Sequence, residues 1–389
     1  MRNCRLIVMM LVACSTASLH AQAKLLPKPS GEGVDRAQPF DRKVPDPQVY
    51  GGRVYFVWGA QKPKNPAPVV GSKYLPFSRD ADHSHTLEWY KQNHPDWVMY
   101  QKDRTPVLEY KNNATPIDFT NPAVREFYWN TFVQPNIDAG YPMFAFDNVD
   151  LQNGSHRAGH YDAQGKWVAQ YTGEKVDDAY ALAVLEWIQY LTTRLHAAGI
   201  GVAANMTYPL GKPQLLPAMR KLVEMVDVWG DEQGFTQHSD SEISDEKWEQ
   251  KFGFVRSVEK DHMHWAINEL TTPHLSDATQ KQIDWAVANY YLYRESGSMV
   301  TLTGAQEYGV YLDTPAMQVN LGRPAGDPVK DKGGAWKRVY SKGLTVVNPS
   351  SKASETASLP PGRWVDSHGK EYSGEIRLET VSGVLLRAK

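Results

Sequence analysis

Ala139-Gly140-Tyr141-Pro142-Met143-Phe144-Ala145-Phe146-Asp147-Asn148-Val149-Asp150 decides the fold. A helical pattern ends at Gly140. An apolar run then rises through Met143 to Phe146 and breaks off at Asp147-Asn148. A run that is apolar on both faces, with polar residues only past its carboxyl end, reads as a buried parallel strand. In a barrel of such strands that end is where chemistry is done. A carboxylate there, ringed by aromatics, suits an enzyme that cleaves sugars.

Seven further apolar runs lie around it, at 54–58, 97–100, 116–119, 200–204, 226–229, 264–267 and 299–302. Punctuated helical patterns fall between several of them. Thr120-Asn121-Pro122 gives an N-cap with Pro in the first turn, and that helix stops at Gly140. From Asp177, Leu182, Leu185, Ile188, Leu191 and Leu195 recur at helical spacing up to Gly199. Ser276 opens another, with Ile283, Ala286, Val287 and Tyr290 on one face. No helix is evident between the runs at 97–100 and 116–119. Eight strands alternating with helices predict an α/β chain, a closed (β/α)8 TIM barrel over 50–330. The segment 24–49, rich in Pro, Lys and Asp, reads as a lead-in, and 324–334 as a linker. Beyond it, short runs at 344–347, 357–359, 363–366, 375–379 and 383–387 are divided by Pro-Ser, Pro-Pro-Gly, His-Gly and Ser-Gly turns. They predict a small C-terminal antiparallel β domain over 336–389, sealing the barrel's side.

The 389 residues, 41% of them hydrophobic, suffice for one barrel and a small module. A net charge of −2 supplies no basic field, which argues against nucleic acid as a partner. Residues 1–23 read as a signal peptide. Arg2 and Arg5 precede an apolar stretch, Leu6 to Ala13, that is too short to span a bilayer, so no transmembrane segment is expected. Two exits are open. Ala21-Gln22-Ala23 is an A-x-A cleavage site, the better formed of the two. Leu11-Val12-Ala13-Cys14 resembles a lipobox that would place a lipid anchor on Cys14. Either exit implies export, to the periplasm, the medium or the outer membrane. Both cysteines, Cys4 and Cys14, lie in this segment, so cleavage after Ala23 would leave neither disulfide nor thiol.

Glycosidic cleavage usually needs two carboxyl groups flanking the bond, one protonated, the other a nucleophile or a base for water. The acidic residues past strand ends are Asp147 at the fourth run, Asp231 and Glu232 at the sixth, and Glu269 at the seventh. Asp118, Asn148, Asp150 and Asn205 are polar candidates for substrate hydroxyls, and Trp58 and Trp229 for stacking on a sugar ring. Each has a plainer reading. Asp147 could cap its loop, Glu232 could be solvated, Glu269 could be an ion-pair partner, Asp118 a helix start, and both tryptophans core. Of 12 Trp and 20 Tyr, most are expected in the core. His83-x-His85 reads as a surface pair. The acidic set from Asp147 to Gly154 does not fit the calcium-loop spacing, and no phosphate loop or nucleophile elbow occurs. No metal and no cofactor are expected.

A family resemblance rests on His94-Pro95-Asp96-Trp97-Val98, on Ile117-Asp118-Phe119-Thr120-Asn121-Pro122-Ala123-Val124-Arg125, on Gly140 to Asp150, and on Gly230-Asp231-Glu232-Gln233-Gly234-Phe235. This set resembles the hypothetical glycosyl hydrolase families, barrel proteins related to α-galactosidases and to endo-α-1,4-polygalactosaminidases. The tail, with Lys342-Gly343-Leu344-Thr345-Val346-Val347-Asn348-Pro349 and Val365-Asp366-Ser367-His368-Gly369, resembles the β domain that follows such barrels. The resemblance implies Asp147 as nucleophile and Glu232 or Asp231 as acid/base. The expectation is a secreted retaining glycosidase acting on a polysaccharide, such as an exopolysaccharide. Its alternatives are an inverting enzyme with the same carboxylates, or a barrel that binds glycan without cleaving it.

Overall fold

The computed structural model describes residues 32–39, 54–64, 69–80, 85–108, 117–236, 242–258, 263–270, 272–304, 306–307 and 314–389. The leader with Cys4 and Cys14, and His83, lie outside the described residues.

The main sheet is parallel throughout and closes on itself. Its strands are β1 Arg36–Pro39, β2 Val54–Trp58, β3 in two segments Val70–Gly71 and Lys73–Pro76, β4 Met143–Asp147, β5 Gly201–Asn205, β6 Val228–Asp231, β7 Met263–Leu270 and β8 Ser298–Gly304. Each pairs with the next, and β1 pairs with β8. Ser72 makes the join inside β3. Val70–Gly71 pairs with β2 and Lys73–Pro76 with β4. Ser72 itself donates its N–H to the Val57 carbonyl and accepts from the Ala60 N–H. This is a (β/α)8 barrel.

Two of the eight expected runs are not barrel strands. At 97–100 the chain leaves the short helix Pro95–Trp97, and Val98 bridges Ile117 in antiparallel fashion. Of the run at 116–119, residues 117–119 are loop, and Pro116 lies outside the described residues. Their places belong to β1, inside the expected lead-in, and to β3. Arg-Ala-Gln-Pro and Lys-Tyr-Leu-Pro carry too little apolar pattern to be read as strands. Arg36 is buried nonetheless, because its guanidinium donates to the Met317 carbonyl at 3.0 Å. Three strands were expected before Met143 and three are found there, so β4 is still the fourth strand and β6 the sixth.

The helices follow their punctuation. Asn121 caps Pro122–Tyr128 by accepting from the Ala123 N–H, and Gly140, at φ +91°, makes the turn into β4 that a side chain would strain. Asp177 caps Asp178–Ala197, whose buried face is Tyr180, Val184, Trp187, Ile188, Leu191 and Leu195. Leu182, expected on that face, is 56% exposed. The helix expected from Ser276 begins at Gln280 instead. Ser276 sits in a separate short turn, and Thr279 with Gln282 forms a capping box.

The C-terminal domain is an antiparallel sheet built on Trp336–Tyr340, Gly343–Asn348 and Ser382–Ala388, with Glu355–Ser358 pairing Glu375–Leu378 beside it. It packs on helix Gln280–Tyr293. Thr345 donates its hydroxyl to the Ala288 carbonyl, and Gly383 lies against Ala288 so closely that a side chain there would clash.

Candidate active site

Strand alternation sorts the candidates. Ala37, Phe56, Trp58, Met143, Ala145, Ala203, Val228, Trp265, Ile267 and Met299 belong, with Tyr55 beside them, to one cluster, and the alternating members fill the barrel. Side chains two apart share a face. Asp147 therefore continues the inward row of Met143 and Ala145, Asn205 that of Ala203, and Glu269 that of Trp265 and Ile267. All three stand at the carboxyl ends of their strands. Trp229 and Asp231, odd against Val228, face outward.

The centre is one amide held between two carboxylates. Asn205 Nδ2 donates to Asp147 Oδ1 at 2.9 Å and to Glu232 Oε2 at 2.7 Å. An amide nitrogen has two N–H bonds that point apart, so this one nitrogen can hold both carboxylates side by side at the same mouth. Asp147 Oδ2 accepts two more bonds, from the Tyr74 hydroxyl at 2.8 Å and from Asn148 Nδ2 at 2.9 Å. Asn148 sits at φ +63°, a left-handed conformation that asparagine tolerates better than most residues. Burial pushes the Asp147 carboxyl above the usual aspartate range, and the charge of Glu232 adds to this, against the hydrogen bonds from Asn205 and Tyr74. Amide N–H groups can only donate, so the contacts from Asn205 and Asn148 favour the Asp147 anion.

Glu232 lies one residue beyond β6, in a turn that depends on glycine. Gly234 has φ +48°, and a Cβ there would meet Asn268 Oδ1 at 2.4 Å. The same Asn268 oxygen accepts from the Phe235 N–H at 2.9 Å and fixes the turn.

Asp231, the neighbouring candidate, is outside the cleft. It is 0% exposed and pairs with Lys251 Nζ at 2.8 Å and His264 Nε2 at 3.3 Å. Burial pushes its carboxyl up, but the charge of Lys251 and the hydrogen bond from His264 outweigh that and hold it below the usual range. The two strand-six carboxylates thus differ in place: Asp231 is fully buried with Lys251 and His264, and Glu232 shares the Asn205 amide with Asp147. Lys251 lies in helix Asp245–Val258, far along the chain from Asp231, and no spacing in the sequence marks the pair.

The tryptophans do not offer faces to a ligand. Trp229 is fully buried behind the barrel wall, against Phe254 and His264, with its indole N–H on the Met206 carbonyl. Trp58 faces the lumen but is 3% exposed, packed against Phe56, Tyr74 and Trp265. Glu269 is 7% exposed and stands opposite Thr303.

Two long loops, after β3 and after β4, rise on the same face and join where Tyr100 bridges Gly159. Asp118 organises this lobe. It accepts from the Thr120 N–H and hydroxyl and from Gln170, and lies 2.9 Å from His160 Nε2. Asp150 accepts from the Gln152 N–H at 2.8 Å within its own loop. His85 Nδ1 lies 3.0 Å from Asp80, and no group of side chains among the described residues is arranged to hold a metal ion. No described helix is long and apolar enough to cross a membrane. Tyr74 was missed in the sequence because β3 was missed. Once the strand is placed, Tyr74 is the aromatic two residues before its end, opposite Ala145.

A family model described as hypothetical glycosyl hydrolase family 15 matches residues 72–344. No curated protein matches the chain. Among solved structures, a family GH13_31 enzyme is similar with a TM-score of 0.50 at 10% identity, over 82% of this chain and 83% of that one. A GH27 β-L-arabinopyranosidase from Geobacillus stearothermophilus gives 0.48 at 11%, over 82% and 74%. A maltogenic α-amylase, AmyB, from Thermotoga neapolitana gives 0.47 at 11%, over 82% and 78%. At 10% identity the first of these speaks for the fold alone.

Proposed function

The chain belongs to hypothetical glycosyl hydrolase family 15, a family of glycoside hydrolases, and from that premise we propose that it is a retaining glycosidase acting on a polysaccharide or its oligosaccharides. The observation that carries this reading is the single amide of Asn205 shared by Asp147 and Glu232. Carboxyl groups about 5–5.5 Å apart suit direct attack on the anomeric carbon, whereas inverting enzymes leave about 6.5–9.5 Å for a water. Asp147, held by the side chains of Tyr74, Asn148 and Asn205, is the nucleophile. Glu232 protonates the leaving oxygen, then takes the proton of the water that releases the glycosyl group. Glu269 and Asn205 line the same mouth and bind hydroxyls of the sugar.

A panel of polysaccharides, read by reducing ends, tests the activity, and proton NMR of the first-formed anomer tests retention. No cleavage of any glycan removes the enzyme reading in favour of a glycan-binding barrel. Inverted product removes the covalent step. Export belongs to the same proposal and rests on the leader of residues 1–23. A mature chain beginning at Lys24 or at an acylated Cys14, by intact mass from the native envelope, supports it, and an unprocessed Met1 overturns it.

A further inference from the structure

The two oxygens of Asp147 are not equivalent. Oδ2 accepts from two donors, the Tyr74 hydroxyl at 2.8 Å and Asn148 Nδ2 at 2.9 Å. Oδ1 accepts from Asn205 at 2.9 Å. An ionised carboxylate oxygen offers two in-plane lone pairs. Oδ2 therefore has both filled by side chains, and Oδ1 is the oxygen on the side of the carboxyl that Asn205 links to Glu232. Resting on the nucleophile assignment above, we propose that Asp147 attacks through Oδ1, and that Tyr74 is a positioning residue that holds Oδ2 throughout the reaction.

The electron count follows from this. In the first step an Oδ1 lone pair forms the bond to the anomeric carbon as the bond to the leaving oxygen breaks and that oxygen takes the Glu232 proton. Oδ2 becomes the carbonyl oxygen of the glycosyl ester, still bonded to Tyr74 and Asn148. In the second step water attacks the anomeric carbon, its proton returns to Glu232, and the electron pair of the breaking C–Oδ1 bond returns to the carboxylate. Negative charge then reappears on Oδ2, where the two donors wait. A hydrogen bond to a charged group is stronger than one to a neutral carbonyl. Tyr74 thus stabilises the transition state for release more than the ester, and its loss slows the second step more than the first.

The ring of Tyr74 has a second contact that fits this role. It packs edge-on against Trp58, at 6.5 Å between ring centroids, which fixes the direction of the hydroxyl from inside the barrel. The groups facing the Asp147 carboxyl are Tyr74 from β3, Asn148 beyond β4, Asn205 from β5 and Glu232 beyond β6.

Tyr74→Phe keeps the ring and removes only the donor, so the packing on Trp58 survives. Two measurements on the full chain test the proposal. With 4-nitrophenyl α- and β-glycopyranosides as probes, stopped-flow absorbance should show turnover in Tyr74→Phe reduced about ten- to a hundredfold, the range expected for one lost bond to a charged group. It should also show a burst of nitrophenolate close to one per enzyme, because the ester accumulates. Reduced turnover without a burst overturns the assignment of Tyr74 to the second step. The second measurement needs no substrate. Carbon NMR of protein labelled at aspartate carboxyls, with the Asp147 signal assigned by its loss in Asp147→Asn, should show the Asp147 midpoint higher in Tyr74→Phe than in wild type. An unmoved midpoint overturns the Tyr74 contact itself. If no glycoside is cleaved the reading as a glycosidase fails, while the NMR result still decides the contact.

Discussion

Asp147 and Glu232 are bridged by one nitrogen, Asn205 Nδ2, at 2.9 and 2.7 Å. Two carboxylates this close repel unless a donor stands between them or one of them takes a proton. The amide supplies that donor, and the proposed mechanism makes Glu232 the acid. Glu232→Gln should therefore lose about 10²–10⁴-fold in rate on glycans, whose leaving groups need an acid. It should lose much less on 2,4-dinitrophenyl glycosides, whose leaving group departs unprotonated, and added azide should restore turnover on them. A variant as slow on the activated glycoside as on the glycan, with no azide effect, removes Glu232 as acid/base.

Asp147→Asn should abolish activity without lowering stability. Burial raises the folded-state pKa of Asp147 above its unfolded value, so the folded state prefers the protonated form more than the unfolded chain does. The ionised group therefore costs stability, and that cost is complete above the folded pKa. Asparagine removes the charge and keeps the size. The melting temperature at pH 7 should be equal to or above that of wild type, and it should show less advantage at acid pH, where wild type is protonated too. A lower melting temperature at pH 7 would mean that Asp147 is held for structure.

What could be read in the sequence was the set of strands whose polar residues come last. Met143 to Phe146 and Trp265 to Ile267 are apolar up to a carboxylate, and this located Asp147 and Glu269 at the mouth. β1 and β3 were not legible, because Arg36, Gln38 and Lys73 break the apolar pattern, and the Met317 carbonyl to which buried Arg36 donates is distant in sequence. Tyr74 was lost with β3. The division of labour between Asp231 and Glu232 was likewise out of reach. It depends on which face of β6 each residue takes and on Lys251, whose place behind the wall only the folded chain reveals.

Asp231 should behave as a structural group with an acid-sensitive contribution. Its folded pKa is depressed below 3.8, so the stability it contributes is complete above 3.8 and is lost as pH falls through the lower folded value. His264 adds to the acid sensitivity from higher pH. Burial lowers its pKa below 6.5, so the unfolded state binds its proton first as pH drops. Asp231→Asn removes the charge that offsets the burial of Lys251, which must then stay unpaired at 0% exposure or give up its proton, and should cost about 3–5 kcal/mol at pH 7. Urea titrations should show that gap narrowing toward pH 3. A constant gap down to that pH would place the loss in packing rather than in the ion pair.

Trp58 and Trp229 should separate by the kind of loss each causes. Trp229 fills the layer between barrel and helices, against Phe254 and His264. Trp229→Ala should cost about 3–5 kcal/mol, and the fraction that remains folded should keep its kcat and KM. Trp58 lies under the mouth, and its neighbour Tyr74 holds Asp147. Trp58→Phe retains an aromatic ring and much of the packing, so its melting temperature should fall only modestly. The smaller ring leaves Tyr74 free to tilt, which lengthens its bond to Oδ2, and kcat should drop while KM changes little. A rise in KM with kcat unchanged would instead show the indole touching substrate directly. Normal kinetics in Trp58→Phe would cut the link from Trp58 through Tyr74 to the nucleophile.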